Sequence, residues 1–228
     1  MKAMILSAGF GKRLRPLTEN CPKPLLKLGN ETLLSNTINF LKKAKIQKVI
    51  INIHYLGEQI VNYLKEKKFD LDIVVINEKE KILDTGGGIL NAINHFKEPF
   101  LVINPDTVWS LNYLNELQIM KDKIISNKKN KCTILVVDKL KSFDKDFKGD
   151  FNLENNLITR KKKENLNYIY TGLQIIRPEV FFNINLKVFS INTIWDKLIS
   201  NNEMFGVESN INFKHVSTLK VYKNLDIK

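Results

Sequence analysis

Small residues at Ser7, Ala8, Gly9 and Gly11 follow directly on the apolar run Met4-Ile5-Leu6, and the cations Lys12, Arg13 and Arg15 come next. Lys23 stands ten residues past Arg13, between Pro22 and Pro24. A strand that runs into a small-residue turn exposes backbone N–H groups at its carboxyl end, an anion-binding geometry that nothing larger than Ala or Ser obstructs. With several cations close by, the chemistry this stretch fits is the binding of a polyphosphate. Two other phosphate loops do not fit: Gly11-Lys12 is followed by Arg13 where the P-loop needs Ser or Thr, and the dinucleotide fingerprint needs Gly where Leu14 stands.

Further along, Asp106 ends the segment Asn104-Pro105-Asp106 behind an apolar run, where a carboxylate can reach a ligand or simply serve a turn. Asp84-Thr85-Gly86-Gly87-Gly88 reads either as a helix start with Thr85 as its cap or as bare backbone against which a flat ligand packs. Successive glycines cost extra backbone entropy, which favours the second reading. Thr171-Gly172 interrupts an apolar strand, either as a bulge or as a ligand-facing pair. Trp195 sits at core spacing, and His54 and His95 lack sequence partners. Neither Ser7 nor Cys21 belongs to a nucleophile–base arrangement.

These groups need a scaffold, and the first half supplies alternating elements. Strands are expected at Met4–Leu6, Val49–Ile53, Leu71–Ile76 and Phe100–Ile103, with helices over 32–44, over 58–65 and after Gly88. Short apolar strands separated by helices predict a parallel, doubly wound sheet, whose ligands bind at the carboxyl ends of the strands. The second half is less regular. Strands are expected at Cys132–Val137, around an Asn155-Asn156 hairpin turn, at Tyr168–Arg177, and near 205–207 and 213–216. Pro178 suits a first helical position, and a further helix carries Ile194, Trp195, Leu198 and Ile199. The expected organisation is one α/β domain over 1–228, in two halves of about 1–110 and about 130–228 that share one central sheet.

The 228 residues carry 36 Lys+Arg against 24 Asp+Glu, a net charge of +12. The lysines are dispersed, and the one dense run, Lys161-Lys162-Lys163, lacks interleaved aromatics, so the excess reads as a solvated surface that steers anions and not as a nucleic-acid footprint. No membrane span or signal peptide is visible. The two cysteines, Cys21 and Cys132, form no C-x-x-C. A cytoplasmic protein, monomeric or a small homo-oligomer, is expected.

Leu6 to Leu25 resembles the signature of the sugar-1-phosphate nucleotidyltransferases, L-x-A-G-x-G-x-R-L-x-P-L-T followed by P-K-P-L. The resemblance implies a Rossmann-like, mostly parallel sheet flanked by helices with a small sugar-binding lobe, the nucleotide-binding half being about 1–110 and the sugar-binding half about 130–228. It also implies transfer of a nucleotidyl group from an NTP to a sugar 1-phosphate, releasing pyrophosphate. Catalytic roles fall on Arg13, Lys23 and Asp106. Nucleotide binding falls on Ser7, Ala8, Gly9, Gly11, Lys12, Glu78, Thr85 and Gly86, with Glu78 near the base edge, and sugar binding on Gly88, Thr171 and Gly172. Members hold Mg2+ on an Asp preceded by Gly; here Pro105 precedes Asp106. Many relatives carry a second metal-binding Asp where this chain has His215, so Asp106 is expected to carry the metal, with His215 a second candidate that at most hydrogen-bonds a phosphate or a water. The Asp84–Ile89 segment looks most like the branch acting on N-acetylmuramate 1-phosphate, which favours UTP with that sugar. GTP with mannose 1-phosphate is the alternative, and in another class a non-catalytic binding module of the same fold.

Overall fold

The computed structural model describes residues 1–78, 80–160 and 165–226; the lysine run 161–163 lies outside the described residues. The chain opens with β1 (Ala3–Leu6), then passes through three short 3₁₀ turns at Lys12–Leu14, Leu17–Glu19 and Lys23–Leu25. A small hairpin of β2 (Lys27–Leu28) and β3 (Glu31–Thr32) leads into α1 (Leu33–Lys43), which Thr32 caps by accepting from the Ser35 N–H at 3.0 Å. There follow β4 (Lys48–Ile53), α2 (Gly57–Lys67), β5 (Asp72–Asn77), α3 (Asp84–Asn91) and β6 (Phe100–Ile103). The second half contributes α4 (Tyr113–Ser126), β7 (Cys132–Asp138), β8 (Asn152–Glu154), β9 (Leu157–Thr159), β10 (Tyr168–Ile176), α5 (Asn192–Ser200), β11 (Met204–Ser209) and α6 (Leu219–Asp226).

Nine strands form one sheet in the order β5-β4-β1-β6-β10-β7-β11-β9-β8. The pairings β1–β4, β1–β6, β4–β5 and β7–β11 are parallel, while β10 and β9 run against their neighbours. The sheet is therefore mostly parallel, as the spacing of strands and helices predicts. Alternate residues feed two cores. Ile5, Ile51, Ile103 and Ile175 face one side, under α1 and α4, whereas Met4, Ile50, Val102 and Ile134 face the other, under α3 and α5. A run such as Val49–Ile53 is apolar throughout because both of its faces are covered.

Three expectations change. Helix α4 was not foreseen although Tyr113, Leu117, Met120 and Ile124 line its buried face. Its start lacks a capping side-chain bond, and exposed Ile119 and Ile125 blur the stripe. No ladder forms over 213–216: Phe213 and His215 make isolated bridges to Ser142 and Thr107. The segment spans two loops, with Val216 N–H donating to Asp106 O at 2.8 Å and Phe213 N–H to Lys141 O at 2.9 Å, so it cannot run along a single strand. Finally, α3 begins at Asp84 and takes the glycines into its own turns instead of following them. Among the described residues no helix is long and apolar enough to cross a membrane.

Candidate active site

A cleft of about 390 Å³ opens at the carboxyl ends of β1, β4 and β6, lined by Ser7 to Gly9, Gly11 to Leu14, Lys23, Asn52, Ile82, Asp84, Thr85 and Asn104 to Asp106. Its centre is the small-residue turn. Gly11 adopts φ +63, a left-handed conformation that a side chain would strain, and a Cβ there would meet Thr18 Cγ2 at 3.0 Å. Its carbonyl accepts from Leu14 N–H and from Thr18 Oγ1, both at 2.9 Å, which fixes the turn that presents Lys12 and Arg13. Both cations are exposed and line the cleft. A Cβ on Gly9 would meet nothing within 4 Å, so the approach to the backbone is open there. The Ser7 N–H is already donated to Asn52 Oδ1 at 2.9 Å, which leaves its hydroxyl, buried and without a partner, as its free polar group.

Across the cleft, Lys23 and Asp106 meet although 83 residues separate them: Nζ lies 2.5 Å from Oδ2. His215 Nε2 approaches the same oxygen at 3.1 Å. The imidazole is stacked on Phe213, centroids 5.7 Å apart and planes at 9°, with Phe147 at its edge. Burial by itself would raise the Asp106 pKa, but the charge of Lys23, then that of His215, with a hydrogen bond from each, outweighs it and holds the carboxyl well below the usual carboxylate range. The carboxylate is thus held in its charged form by the Lys23 ammonium it is paired with.

Several sequence-predicted contacts are corrected. Glu78 is 4% exposed and turned inward: Oε1 accepts from Asn52 Nδ2 at 2.7 Å and Oε2 from Leu83 N–H at 2.8 Å, so its carboxylate is spent on the chain and not on a base edge. The bare faces of the glycines are filled by protein. A Cβ on Gly86 would strike the Phe189 ring, one on Gly87 the Lys187 carbonyl, and one on Gly88 both Asn52 and Glu78 at 2.8 Å. Close helix packing accounts for the triplet, and Gly86 and Gly88 do not line the cleft. Thr85 does line it, yet it is no cap; its Oγ1 accepts from Ile191 N–H at 2.9 Å.

Thr171 is buried, with its hydroxyl donating to Leu135 O at 3.0 Å, and Gly172 at φ +92 packs on Asn104 at the register shift of β10. That pair is a bulge tying β10 to the loop that carries Asp106, since Thr107 Oγ1 also donates to Thr171 O. His215 Nε2 faces Asp106, while its Nδ1 is buried without a hydrogen-bond partner. Asn52, 3% exposed, was missed; its signal was a polar residue in an otherwise apolar buried strand.

No group of three or more metal-ligating side chains exists among the described residues. The donors nevertheless fit a magnesium ion, which binds hard oxygen and takes one or two carboxylates with substrate phosphates and water completing its shell. Asp106 would be that carboxylate, and its Oδ1 is buried without a hydrogen-bond partner.

Comparison with known proteins bears on the same stretch. The profile of a family described as Nucleotidyl transferase matches residues 2–143. The chain is 26% identical over 220 residues to the N-acetylmuramate alpha-1-phosphate uridylyltransferase of Caulobacter vibrioides, covering 94% of this chain and 90% of that one. It is 33% identical over 187 residues to the protein of the same description from Neisseria meningitidis, covering 81% and 78%. To a probable mannose-1-phosphate guanylyltransferase of Oryza sativa subsp. japonica it is 29% identical over 216 residues, covering 91% of this chain but 58% of the rice protein. Among solved structures, a putative glucose-1-phosphate thymidylyltransferase from Bacillus anthracis superposes with a TM-score of 0.80 at 19% identity, over 100% of this chain and 94% of that one. A UDP-glucose pyrophosphorylase from Acinetobacter baumanii gives 0.78 at 16%, over 99% and 92%. These two share the fold.

Proposed function

The chain belongs to the nucleotidyl transferase family, and on that premise we propose that it transfers a uridylyl group from UTP to N-acetylmuramate 1-phosphate. The observation that carries the reading is the convergence of Lys12, Arg13, Lys23 and Asp106 on one cleft around an open small-residue turn. Three cations from the start of the chain and a carboxylate 83 residues past Lys23 line one cleft, a charge arrangement suited to a triphosphate. A sugar phosphate has a second pKa of about 6 and is largely dianionic near neutral pH, so it attacks the α-phosphorus without a protein base. A new P–O bond forms there as the bond to the β-phosphate oxygen breaks, and pyrophosphate departs with that electron pair.

The protein's task is alignment and the cancellation of repulsion between two polyanions. Backbone N–H groups from Ala8 to Gly11 hold the β- and γ-phosphates, and Arg13 grips the departing pyrophosphate. Lys23 bridges the incoming phosphate and the α-phosphate. Asp106 would hold a magnesium ion, which when bound would supply charge neutralisation for the phosphates. UTP is favoured over GTP because the segment Asp84-Thr85-Gly86-Gly87-Gly88 resembles that of the branch acting on N-acetylmuramate 1-phosphate. The two uridylyltransferase relatives support the same choice.

The test is a pyrophosphate-release screen of the four nucleoside triphosphates against a panel of sugar 1-phosphates. UTP with N-acetylmuramate 1-phosphate is expected to give the highest kcat/KM. Faster turnover of GTP with mannose 1-phosphate would replace the reading, and nucleotide binding without turnover of any pair would make the chain a binding module.

A further inference from the structure

Asp106 has little carboxylate left to offer. Its Oδ1 is buried and closed to solvent, while Oδ2, on the side of Lys23, already holds that ammonium at 2.5 Å and the His215 imidazole at 3.1 Å. Both Lys23 and Asp106 line the cleft, and their side chains are only 14% and 18% exposed. A dication arriving at Oδ2 therefore meets a positive charge already in contact with its ligand.

We propose that the Lys23 ammonium occupies, in the ligand-free protein, the place on Asp106 that a divalent cation takes when nucleotide is bound. Lys23 and the metal are alternative occupants of one carboxylate, and the phosphates of the nucleotide draw Lys23 away. The proposal rests on the reading of this cleft as a nucleotide and metal site. It assigns Lys23 a second duty, that of making cation loading depend on nucleotide. An ammonium so close to the ligand oxygen opposes a dication strongly even where the effective dielectric is high. Polyphosphate oxygens give it a new anionic partner, so nucleotide and metal bind with positive coupling, and the coupling is reciprocal by linkage. His215 stays on Oδ2 throughout. Its ring is stacked on Phe213, so the carboxylate keeps its orientation while Lys23 leaves.

The competing account is a purely structural ion pair that ties the 3₁₀ turn at Lys23–Leu25 to the loop after β6. The two accounts differ in the sign of one measurement. Mn2+ serves as the probe, its binding followed by the electron paramagnetic resonance of the free ion, with no turnover required. The proteins are wild type, Lys23→Gln, Asp106→Asn and the double variant, each with and without the α,β-methylene analogue of UTP. Without nucleotide, Lys23→Gln is expected to bind Mn2+ about tenfold or more tightly than wild type, and Asp106→Asn to abolish that gain. The analogue is expected to tighten Mn2+ binding by a larger factor in wild type than in Lys23→Gln.

Unchanged or weaker Mn2+ binding by Lys23→Gln would overturn the proposal, as would a gain that survives Asp106→Asn. Lys23→Met, checked by circular dichroism, replaces the Gln variant if that fails to fold. Failure of the pyrophosphate screen sinks the uridylyl-transfer reading alone, because Mn2+ competition with Lys23 is read without it.

Discussion

Asn52 and Glu78 are joined side chain to side chain beneath the cleft, Nδ2 donating to Oε1 at 2.7 Å. The pair links three segments: Asn52 Oδ1 holds the Ser7 N–H at the start of the phosphate-binding turn, and Glu78 Oε2 holds the Leu83 N–H at the start of α3. Glu78→Ala strands the buried Asn52 amide and the part-buried Leu83 N–H at once. Each unsatisfied group costs about 1–3 kcal/mol, and in a chain of this size Tm falls roughly 2–4 °C per kcal/mol. A drop in Tm of roughly 5 °C or more is expected by calorimetry, whereas exposed Glu66→Ala stays within about 0.5 kcal/mol of wild type. An unchanged Tm with lost nucleotide affinity would return Glu78 to the base edge.

This network shows where the sequence stops being legible. The phosphate turn is local: strand, small residues and cations follow one another, and Gly11 and Arg13 sit where that order puts them. The parallel half of the sheet is legible for the same reason, since buried strands such as Lys48–Ile53 are apolar on both faces. Contacts made across the sheet left no local trace. The family resemblance gives Glu78 and Gly88 ligand roles, and nothing local shows that Asn52, 26 residues before Glu78, packs against both. Thr171-Gly172 was equally open until the register of β10 against β7 and β6 made it a bulge.

Arg13 is exposed and unencumbered beside the turn, so its guanidinium fork is free for pyrophosphate. Arg13→Lys retains the charge but loses the planar bidentate geometry. Titration calorimetry with UTP is expected to show weaker binding by the variant. Equal affinities would place Arg13 outside the nucleotide contacts.

Glu116 gives a pH dependence remote from the cleft. It lies on α4 at 9% exposure; Oε1 accepts from Ser209 Oγ at 2.9 Å and Asn210 N–H at 3.2 Å, while Oε2 is buried without a partner. Burial pushes its pKa up, and the hydrogen bonds from Ser209 and Asn210, with the charge of Lys141, only partly offset this. A carboxyl whose folded pKa is raised contributes stability below its unfolded value, about 4.3, and loses it as pH rises through the folded value. The stability of wild type minus that of Glu116→Gln should therefore decline from about pH 4 upward and then level off. Urea denaturation over that range checks it, and a difference that grows with pH refutes the assignment.

The last prediction separates the two residues proposed for the metal site, Asp106 and His215. His215 touches Asp106 through Nε2, so removing the imidazole takes one hydrogen bond from the carboxylate and leaves the carboxylate itself in place. A neutral imidazole is also a poorer ligand than carboxylate for a hard cation. Removing Asp106 takes away the protein's carboxylate for the metal and leaves Lys23 and His215 facing each other without the anion between them. Loss of metal charge stabilisation amounts to several kcal/mol, on the order of 10² or more in rate. Loss of one hydrogen bond of about 1 kcal/mol costs less than about tenfold. Asp106→Ala and His215→Ala are therefore compared over a series of Mg2+ concentrations. Asp106→Ala is expected to lose at least ten times more kcat than His215→Ala, with His215→Ala showing a nearly unchanged Mg2+ dependence. Equal losses, each partly rescued by excess Mg2+, would make His215 a metal ligand in its own right and end the single-carboxylate description.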